Sequence, residues 1–299
     1  MTPPATAGSS DVHPGTLGAA LDTARGALDR LDAEVLTAHA VGCSRGTLYA
    51  FPERPVSAKQ ARRLTGLVRR RQRGEPLAYI VGWREFWSLT LRVDARVLVP
   101  RPETECLVEA ALTRVADHAT VLDLGTGSGA IALAVAASRP HARVVGVDRD
   151  AGCIRVAREN AARLGLTAAF RHSDWFSAFR RNERFDVVVA NPPYVPDADP
   201  HLMGDGLRFE PRDALVAGAD GLAALRRIVP AAPKHLVRGG WLCVEHGHDQ
   251  QAPVRELFLA HGFEDVETMP DLAGSPRVTC GRMPHTHSAM PYRETRLPP

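Results

Sequence analysis

The chain has 299 residues, a length that suits one large domain accompanied by a smaller one. Hydrophobic residues make up 44% and charged residues 24%, close to the globular average, which excludes a wholly disordered or fibrous protein. The net charge of +3 is too small to indicate nucleic-acid binding by itself, although all basic residues except Lys59 and Lys234 are arginines.

The cysteine pattern and the apolar runs restrict the compartment. The five cysteines are scattered without a C-x-x-C pair, so neither a disulfide framework nor a metal site is predicted. Residues 1–13 lack the apolar core of a secretory signal. No apolar stretch approaches the roughly 20 residues needed to span a bilayer. We therefore expect a soluble, cytoplasmic protein that binds neither a metal nor a membrane.

The first part of the chain is predicted to be a small helical domain over residues 15–78. Apolar residues recur at helical spacing from Leu17 to Leu36 and again from Leu64 to Val68. Ser57 and Asp32 stand where helix N-caps are expected. Residues 1–14, before this domain, are predicted to form a flexible leader.

A change of pattern marks the domain junction at residues 79–100. Aromatic residues and alternating apolar positions there suit a short β-hairpin or an extended linker. At the other end of the chain, residues 284–299 show no periodicity and are predicted to form a flexible tail.

Strand-like and helical runs alternate through residues 101–283. The strands are predicted at 121–124, 143–147, 168–172, 185–190, 240–245, 263–269 and 276–282. The helices are predicted at 129–138, 151–164, 220–236 and 251–261. This alternation predicts a Rossmann-like α/β domain: a doubly wound, mostly parallel seven-stranded sheet with helices on both faces.

A glycine-rich loop lies where the first strand of this domain turns into a helix. Glycines permit the tight turn and the close approach of a ligand. Asp148, at the end of the second strand, is placed to accept hydrogen bonds from two ribose hydroxyls. The pattern predicts a site for an adenosine-containing ligand, formed by Asp148 and by the loop residues Asp123, Gly125, Thr126, Gly127, Ser128 and Gly129.

The glycine loop alone also satisfies the relaxed dinucleotide pattern, so other residues must distinguish the ligands. Asp123 is placed to bind the amino group of a methionine moiety. Asp174 and Trp175 follow the third strand, where a carboxylate meets the adenine amino group and an indole supplies an apolar wall. These two features favour S-adenosylmethionine. The alternative without a ligand is a purely structural glycine turn, with Asp148 as a helix cap.

The strand 185–190 runs directly into Asn191-Pro192-Pro193-Tyr194. Ligands of open α/β sheets bind beyond the carboxyl ends of strands, so these residues are expected to face the methyl donor. A planar amide or exocyclic base nitrogen is a poor nucleophile. The Asn191 side-chain oxygen and the Pro192 carbonyl can hold its two N–H groups and align its lone pair with the methyl.

The remaining residues of this segment support the same interpretation. The prolines fix the backbone and remove competing donors, and the Tyr194 ring can pack on a flat amide or base. No strong general base is required, because the proton becomes acidic only as the new bond forms. The segment by itself does not distinguish a base amine from a side-chain amide as the methyl acceptor. The alternative without a function is that its prolines only mark a loop after the strand.

With these motifs in place, the chain resembles the HemK/PrmC-type methyltransferases, which N5-methylate the glutamine in the Gly-Gly-Gln loop of peptide-chain release factors. The resemblance covers residues 15–283. Besides the glycine loop and Asn191 to Tyr194, it is carried by Phe86-Trp87, Val99-Pro100-Arg101-Pro102-Glu103-Thr104-Glu105, Phe209-Glu210-Pro211, Asp220-Gly221-Leu222, Glu245-His246-Gly247 and Arg277-Val278-Thr279.

The resemblance implies a role for each matching position. The donor would be bound by Gly125 to Gly129, Asp148, Trp175 and Asn191. The glutamine would be bound by Asn191 to Tyr194, of which Asn191, Pro192 and Tyr194 are the expected catalytic residues. Arg101 to Glu105 would shape the mouth of the site, and Arg101 and Glu103 would contact the substrate. The helical N-terminal domain would contact the release factor.

Two other functions compete with this interpretation. The first is adenine or guanine amino-methylation of DNA or rRNA, which usually brings a basic and aromatic recognition domain. The second is a non-enzymatic adaptor, for which an intact Asn191-to-Tyr194 segment has no use. The sequence has one basic cluster, for which a solvated helix face is favoured over contact with a partner; it comprises Arg62, Arg63, Arg69, Arg70, Arg71 and Arg73. We expect no stable nucleic-acid binding.

The two nearby histidines, His246 and His248, do not suggest a metal site, because no cysteine or further carboxylate pair accompanies them. Surface or helix-cap positions are the favoured interpretation of both.

Overall fold

The computed structural model describes residues 11–13, 15–204 and 206–285. Residues 1–10 and 14 of the predicted leader, and residues 286–299 of the predicted tail, lie outside the described part. Within that part, every helix is too short or too polar to cross a membrane. The chain divides into two compact units; the first comprises the residues up to Arg84 together with 93–95 and 200–211, and the second comprises the rest.

The first unit is helical. Its elements are β1 (Gly15–Thr16), α1 (Leu17–Arg25), α2 (Arg30–Val41), α3 (Arg45–Ala50), β2 (Pro55–Val56), α4 (Ala58–Gln72) and α5 (Leu77–Val81). The two short strands pair antiparallel. Leu17, Leu36 and Leu64, all members of the predicted apolar pattern, are fully buried in one core. The helical periodicity of the sequence therefore arises from the packing of α1, α2 and α4 around this core.

Side-chain caps set the starts of these helices. Ser57 caps α4 in a capping box: its hydroxyl accepts from the Gln60 backbone N–H, and the Gln60 side chain accepts from the Ser57 backbone N–H. The expected cap at Asp32 is wrong. Asp29 caps α2 instead, and its carboxylate accepts from the Asp32 backbone N–H at 3.0 Å. Asp32 lies in the first turn, where a negative charge also suits the helix dipole.

A tight hairpin follows the helical elements. It consists of β3 (Trp83–Phe86) and β4 (Leu89–Arg92). The two residues between the strands, Trp87 and Ser88, have φ values of 51° and 57°. Positive φ at both central residues is what a two-residue type I′ turn requires. The Trp87 side chain then packs into the second unit's core and its indole N–H donates to Ser138 Oγ at 2.9 Å.

The second unit contains the seven-stranded sheet. Its elements are α6 (Glu105–Leu112), β5 (Thr120–Leu124), α7 (Ala130–Ser138), β6 (Arg143–Asp148), α8 (Ala151–Leu164), β7 (Ala169–His172), β8 (Phe185–Ala190), α9 (Leu225–Ala231), β9 (Leu236–Glu245), α10 (Gln251–Ala260), β10 (Glu264–Pro270) and β11 (Pro276–Arg282). The strands follow the order β10-β11-β9-β8-β5-β6-β7.

The pairing of the strands confirms the predicted α/β class. β7, β6, β5, β8 and β9 are parallel neighbours, and β11 runs antiparallel to both β9 and β10. The two faces carry separate cores. Residues of α6, α7 and α8, such as Leu107, Leu133 and Ile154, fill one core. Leu225 of α9 and Phe258 of α10 belong to the other. Helices therefore cover both faces, as a doubly wound sheet demands.

The predicted helix over residues 220–236 is wrong at both ends. Gly221 has a φ of 73°, and Asp220 accepts from the Leu222 backbone N–H at 3.2 Å, so this segment is a turn. The α-helix begins only at Leu225 and gives way at Ala232–Lys234 to a 3₁₀ turn that contains Pro233. The following strand accordingly begins at Leu236, four residues before the predicted start.

The capping box at Ser57 yields a stability prediction. Ser57→Ala removes the hydroxyl that satisfies the Gln60 backbone N–H, and we expect it to lower the free energy of unfolding by about 1 kcal/mol. Urea denaturation followed by far-UV circular dichroism measures this change. Ser57→Asp keeps an acceptor at the cap and should stay near wild type. Equal stability of the alanine variant and wild type would show that the cap contributes nothing.

Candidate active site

The site lies where two loops leave the carboxyl edge of the sheet. β5 leads into the glycine loop (residues 125–129), and β8 leads into the acceptor loop (residues 191–194). The two strands are parallel neighbours, with Leu124 aligned to Ala190. β6 and β9 flank this pair on opposite sides, so the strand order reverses here. Open α/β sheets bind their ligands at such a switch point.

The glycine loop adopts a conformation that only glycine tolerates easily. Gly125, Gly127 and Gly129 have φ values of 72°, 54° and 84°. A Cβ on Gly129 would lie 3.1 Å from the Ala157 Cβ, so this glycine lets α7 pack against α8. A Cβ on Gly127 would meet no described atom within 4 Å. Gly127 therefore borders open space, as a ligand-facing position should.

Asp123 ties the glycine loop to the helix that follows it. The side chain is fully buried. Its Oδ2 accepts from the Thr126 hydroxyl at 2.6 Å and from the Ala132 backbone N–H at 3.2 Å. Its Oδ1 has no partner among the described residues. Burial raises the pKa of this carboxyl to about 7. Binding of the donor's amino group to Asp123 stays a prediction.

Asp148 links the ends of β6 and the glycine loop. Its Oδ2 accepts from the Gly127 backbone N–H at 3.0 Å, and its Oδ1 accepts from the Asp150 backbone N–H at 2.9 Å. Burial raises the pKa of Asp148. Asp150, and not Asp148, caps α8. The carboxylate of Asp148 is thus held against the loop that its predicted ligand would contact.

Trp175 lies beside the glycine loop in a strained conformation. Its φ is 49°, which is uncommon for a non-glycine residue and accumulates at functional positions. A Cβ on Gly125 would lie 3.4 Å from its ring, and its indole nitrogen is buried without a hydrogen-bond partner in the described structure. The Asp174 carboxylate is exposed and pairs with Arg227 at 2.6 Å. Adenine contacts by either residue stay predictions.

The acceptor loop places the Asn191 carboxamide against Thr104. The Asn191 Nδ2 donates to the Thr104 hydroxyl oxygen at 3.1 Å. Thr104 is buried, with 4% of its surface exposed, and belongs to a 3₁₀ turn (Pro102–Thr104) that leads into α6. Since Nδ2 is engaged by Thr104, Oδ1 is left as the group with which Asn191 can accept a substrate N–H. Pro192 is buried and Pro193 half-buried.

Tyr194, the last residue of the loop, is held by a buried carboxyl group. Its hydroxyl donates to Glu245 Oε1 at 3.2 Å. Burial and the neighbouring Glu245 charge raise the pKa of Tyr194 well above its usual value, so the phenol stays neutral. Glu245 lies at the end of β9 and is 1% exposed. This hydrogen bond involves only the hydroxyl group. Contact of the Tyr194 ring with a substrate stays a prediction.

Gln250 and Gly221, to which the sequence analysis gives no role, both pack against the backbone of the acceptor loop. The Gln250 side chain donates to the carbonyl oxygens of Tyr194, at 3.1 Å, and Asp220, at 3.2 Å. It also accepts from the Gly247 backbone N–H at 2.9 Å. A Cβ on Gly221 would lie 2.2 Å from the Tyr194 carbonyl oxygen. The Asp220-Gly221-Leu222 segment is one of the motifs that carry the family resemblance, but nothing in the sequence connects it with Tyr194.

Arg101 and Glu103 flank Thr104 at the start of the second unit. Glu103 is exposed and Arg101 half-buried. The charge of Arg101 lowers the pKa of Tyr194, and the charge of Glu103 raises that of Glu245, although burial is the larger cause of both shifts. Both residues therefore lie within electrostatic range of the acceptor loop. Direct contact with a substrate stays a prediction for each.

His246 corrects the expectation of surface or cap histidines. The side chain is fully buried; Nδ1 lies 2.8 Å from the Gly247 carbonyl oxygen and Nε2 lies 2.9 Å from the Thr279 hydroxyl. Burial lowers the pKa of His246, which favours the neutral ring. His248 is exposed, as expected. Within the described residues no group of three or more potential metal ligands comes together.

Family models match both parts of the chain. The model described as PrmC N-terminal domain matches residues 18–82, and that described as methyltransferase small domain matches residues 102–203. A release factor glutamine methyltransferase of Xylella fastidiosa is 48% identical over 261 residues, which are 86% of this chain and 94% of that protein. One from Pseudomonas aeruginosa is 52% identical over 255 residues, 85% and 92% of the two chains.

A solved structure shares the fold at lower identity. The T. thermophilus 16S rRNA N2 G1207 methyltransferase, in complex with AdoMet and guanosine, has a TM-score of 0.52 and 22% identity over 67% of this chain and 49% of that chain. The methyltransferase domain model and the two relatives show that the chain is an S-adenosylmethionine-dependent methyltransferase. The identity over most of both lengths then shows that the chain belongs to the family of release factor glutamine methyltransferases.

The contact of Gly221 with Tyr194 predicts a loss of methyl transfer on substitution. Gly221→Ala would place a methyl group against the Tyr194 carbonyl and displace the acceptor loop, so we expect kcat to fall by about 100-fold. Gly165→Ala is the matched control: Gly165 also has a positive φ, of 65°, but a Cβ there meets no described atom within 4 Å. Steady-state methylation rates compare the two variants, and equal rates would refute the assignment.

Proposed function

We propose that this protein transfers a methyl group from S-adenosylmethionine to the side-chain amide nitrogen, N5, of the glutamine in the Gly-Gly-Gln loop of peptide-chain release factors. One observation carries the proposal: the Asn191 carboxamide stands at the switch point of the sheet with Nδ2 engaged by Thr104 and Oδ1 left for an acceptor N–H. Family membership indicates that this acceptor is a glutamine amide.

The residues around the glycine loop fit the proposed methyl donor. Gly127 borders open space, where a side chain would obstruct a ligand. The Asp148 carboxylate, at the end of β6, suits two ribose hydroxyls, and the Trp175 ring suits an adenine face. The buried Asp123 Oδ1 lacks a partner in the described structure and suits an ammonium group. When bound, the donor would supply an electrophilic methyl group on a positively charged sulfur.

The acceptor loop would act by alignment. A glutamine amide nitrogen has its lone pair delocalised into the carbonyl and must be held with that lone pair facing the methyl. The Asn191 Oδ1 and the Pro192 carbonyl would accept its two N–H bonds and fix this orientation. No titratable base is needed at the nitrogen, because its proton becomes acidic only as the new bond forms. Tyr194 would then give up no proton, in keeping with its raised pKa.

Protein substrates fit the helical unit better than nucleic acid does. Half of the arginine cluster on and after α4 is neutralised by ion pairs: Arg69 with Asp11, Arg70 with Glu75 and Arg71 with Asp32. Nucleic-acid binding depends on cationic side chains that remain available to phosphates. We therefore propose that this unit contacts the release factor, and that the protein acts in the cytoplasm, where release factors work.

The assignment is tested with labelled donor, purified release factors, rRNA and DNA, followed by mass spectrometry of the products. We expect a single methyl group on the loop glutamine and none on nucleic acid. A release factor with that glutamine changed to alanine serves as the substrate control. Methyl transfer to another residue type, or to rRNA alone, would overturn the proposed function.

The role of Asn191 is tested in the same assay. Asn191→Ala removes the oxygen that holds the substrate N–H, and we expect kcat to fall by at least about 100-fold. Far-UV circular dichroism reports whether the variant remains folded. Wild-type methylation by this variant would show that the acceptor loop is not the site.

Donor binding yields a separate prediction at β6. Asp148→Asn keeps the shape of the side chain but removes the charge that would accept from ribose hydroxyls, so we expect the donor Kd to rise about 10-fold. Asp150→Asn makes the same chemical change two residues away, where asparagine still caps α8, and should leave Kd within about twofold. Calorimetric titration distinguishes them; similar Kd values would exclude Asp148 as a ribose ligand.

A further inference from the structure

The Asn191 carboxamide has two orientations of nearly equal shape. One presents Oδ1 to the acceptor, and the other, rotated by about 180°, presents the NH₂ group. Only the first can hold a substrate N–H, since two NH₂ groups facing each other repel. The proposed alignment therefore depends on whatever makes the first orientation more stable than the second.

The partner of Asn191 does not decide between these orientations by itself. Thr104 contributes a hydroxyl, which can accept from Nδ2, as it does at 3.1 Å, or donate to Oδ1 after rotation. The hydroxyl is buried, so no bulk water competes for its proton. A second group that accepts the Thr104 proton would leave only the first orientation.

Glu245 is that second group. The hydroxyls of Thr104 and Tyr194 both lie beside its carboxyl and favour its charged form. Tyr194 donates to Oε1, whereas Oε2 is buried and accepts no hydrogen bond in the described structure. A carboxylate can only accept. While Glu245 is ionised, the negative charge on its unpaired Oε2 attracts the nearby Thr104 proton, and the Thr104 oxygen then has only lone pairs to offer to Asn191.

The charge state of Glu245 therefore controls the network. Burial raises its pKa to about 7, against the opposing effects of the two hydroxyls and of Arg277. Glu103 also raises it, and the thiol of Cys106 feels the Glu245 charge from α6. Protonation of Glu245 removes the charge that attracts the Thr104 proton and gives the carboxyl a proton of its own to donate, so the Thr104 proton is able to turn toward Asn191.

We propose that Thr104 and Glu245 are positioning residues for methyl transfer: the chain Asn191, Thr104, Glu245 holds the Asn191 amide with its oxygen toward the acceptor. This inference rests on the proposed function and adds two residues to its site. Neither residue touches the acceptor nitrogen. Each acts through the direction of one hydrogen bond.

The test is a pair of substitutions at Thr104. Thr104→Val keeps the shape but loses the hydroxyl, so the Asn191 amide becomes free to rotate; we expect kcat to fall by about 10- to 100-fold with donor Kd unchanged. Thr104→Ser retains the hydroxyl and should recover activity to within about threefold of wild type. Thr37→Val is the matched control, because Thr37 is a buried threonine of the first unit whose hydroxyl has no described partner.

The Glu245 branch is tested through the pH profile at saturating donor. Wild-type kcat should decline as the pH falls from about 8 to about 6, since protonation of Glu245 releases the Thr104 hydroxyl. Glu245→Gln can both donate and accept, so its kcat should be about 10-fold lower at pH 8 and should lack this decline. Saturating donor keeps the titration of Asp123, whose pKa is also about 7, out of kcat.

Two results would overturn the proposal: a Thr104→Val enzyme with wild-type kcat, or a Thr104→Ser enzyme as impaired as Thr104→Val. A Glu245→Gln enzyme that retains the wild-type pH profile would remove Glu245 from the chain. These ratios are measured on whichever acceptor the wild-type enzyme methylates. A wild-type enzyme that methylates a base amine would thus refute the proposed substrate and leave the positioning test intact.

Discussion

The parallel pairing of β5 with β8 is the constraint on which the rest of the site depends. It places the carboxyl ends of β5 and β8 side by side, so that the glycine loop and the acceptor loop leave the sheet at the same edge. Neither loop could perform methyl transfer alone, because one offers backbone and carboxylate contacts and the other a carboxamide. Their shared edge brings the two loops together, as the proposed reaction requires.

The polar groups that support this site are buried or half-buried, and they are hydrogen-bonded to the backbone more often than to one another. Asp123 and Asp148 accept from the backbone N–H groups of Ala132 and Gly127, and Gln250 donates to the Tyr194 carbonyl. Such contacts fix loops whose glycines and prolines cannot be held by regular secondary structure. The site is thereby preorganised before a ligand arrives, which reduces the reorganisation that methyl transfer demands.

The sequence predicts the positions of the strands better than the side-chain contacts that hold the loops between them. Strand positions around Asp123, Asp148 and Asn191 follow from apolar runs that end in polar residues, a pattern local enough to be visible in the chain. The contacts of Gln250 and Thr104 are different. They join residues 56 and 87 positions away from their partners, and no periodicity encodes such separations. The wrong prediction of a helix start at residue 220 has a similar cause. Gly221 has a left-handed backbone and packs closely against the Tyr194 carbonyl, a contact between distant residues that the sequence does not reveal.

Two carboxyl groups, one behind each loop, have the same physical character. Asp123 supports the glycine loop, Glu245 supports the acceptor loop, and burial raises the pKa of each to about 7. Burying a carboxylate away from water costs free energy unless its oxygens accept hydrogen bonds. Each of these two groups has one oxygen that accepts no hydrogen bond in the described structure. At Asp123 a ligand ammonium can supply what is lacking. At Glu245 the nearby Thr104 hydroxyl can do so, which is why we propose donor binding for the first group and orientation of the acceptor for the second.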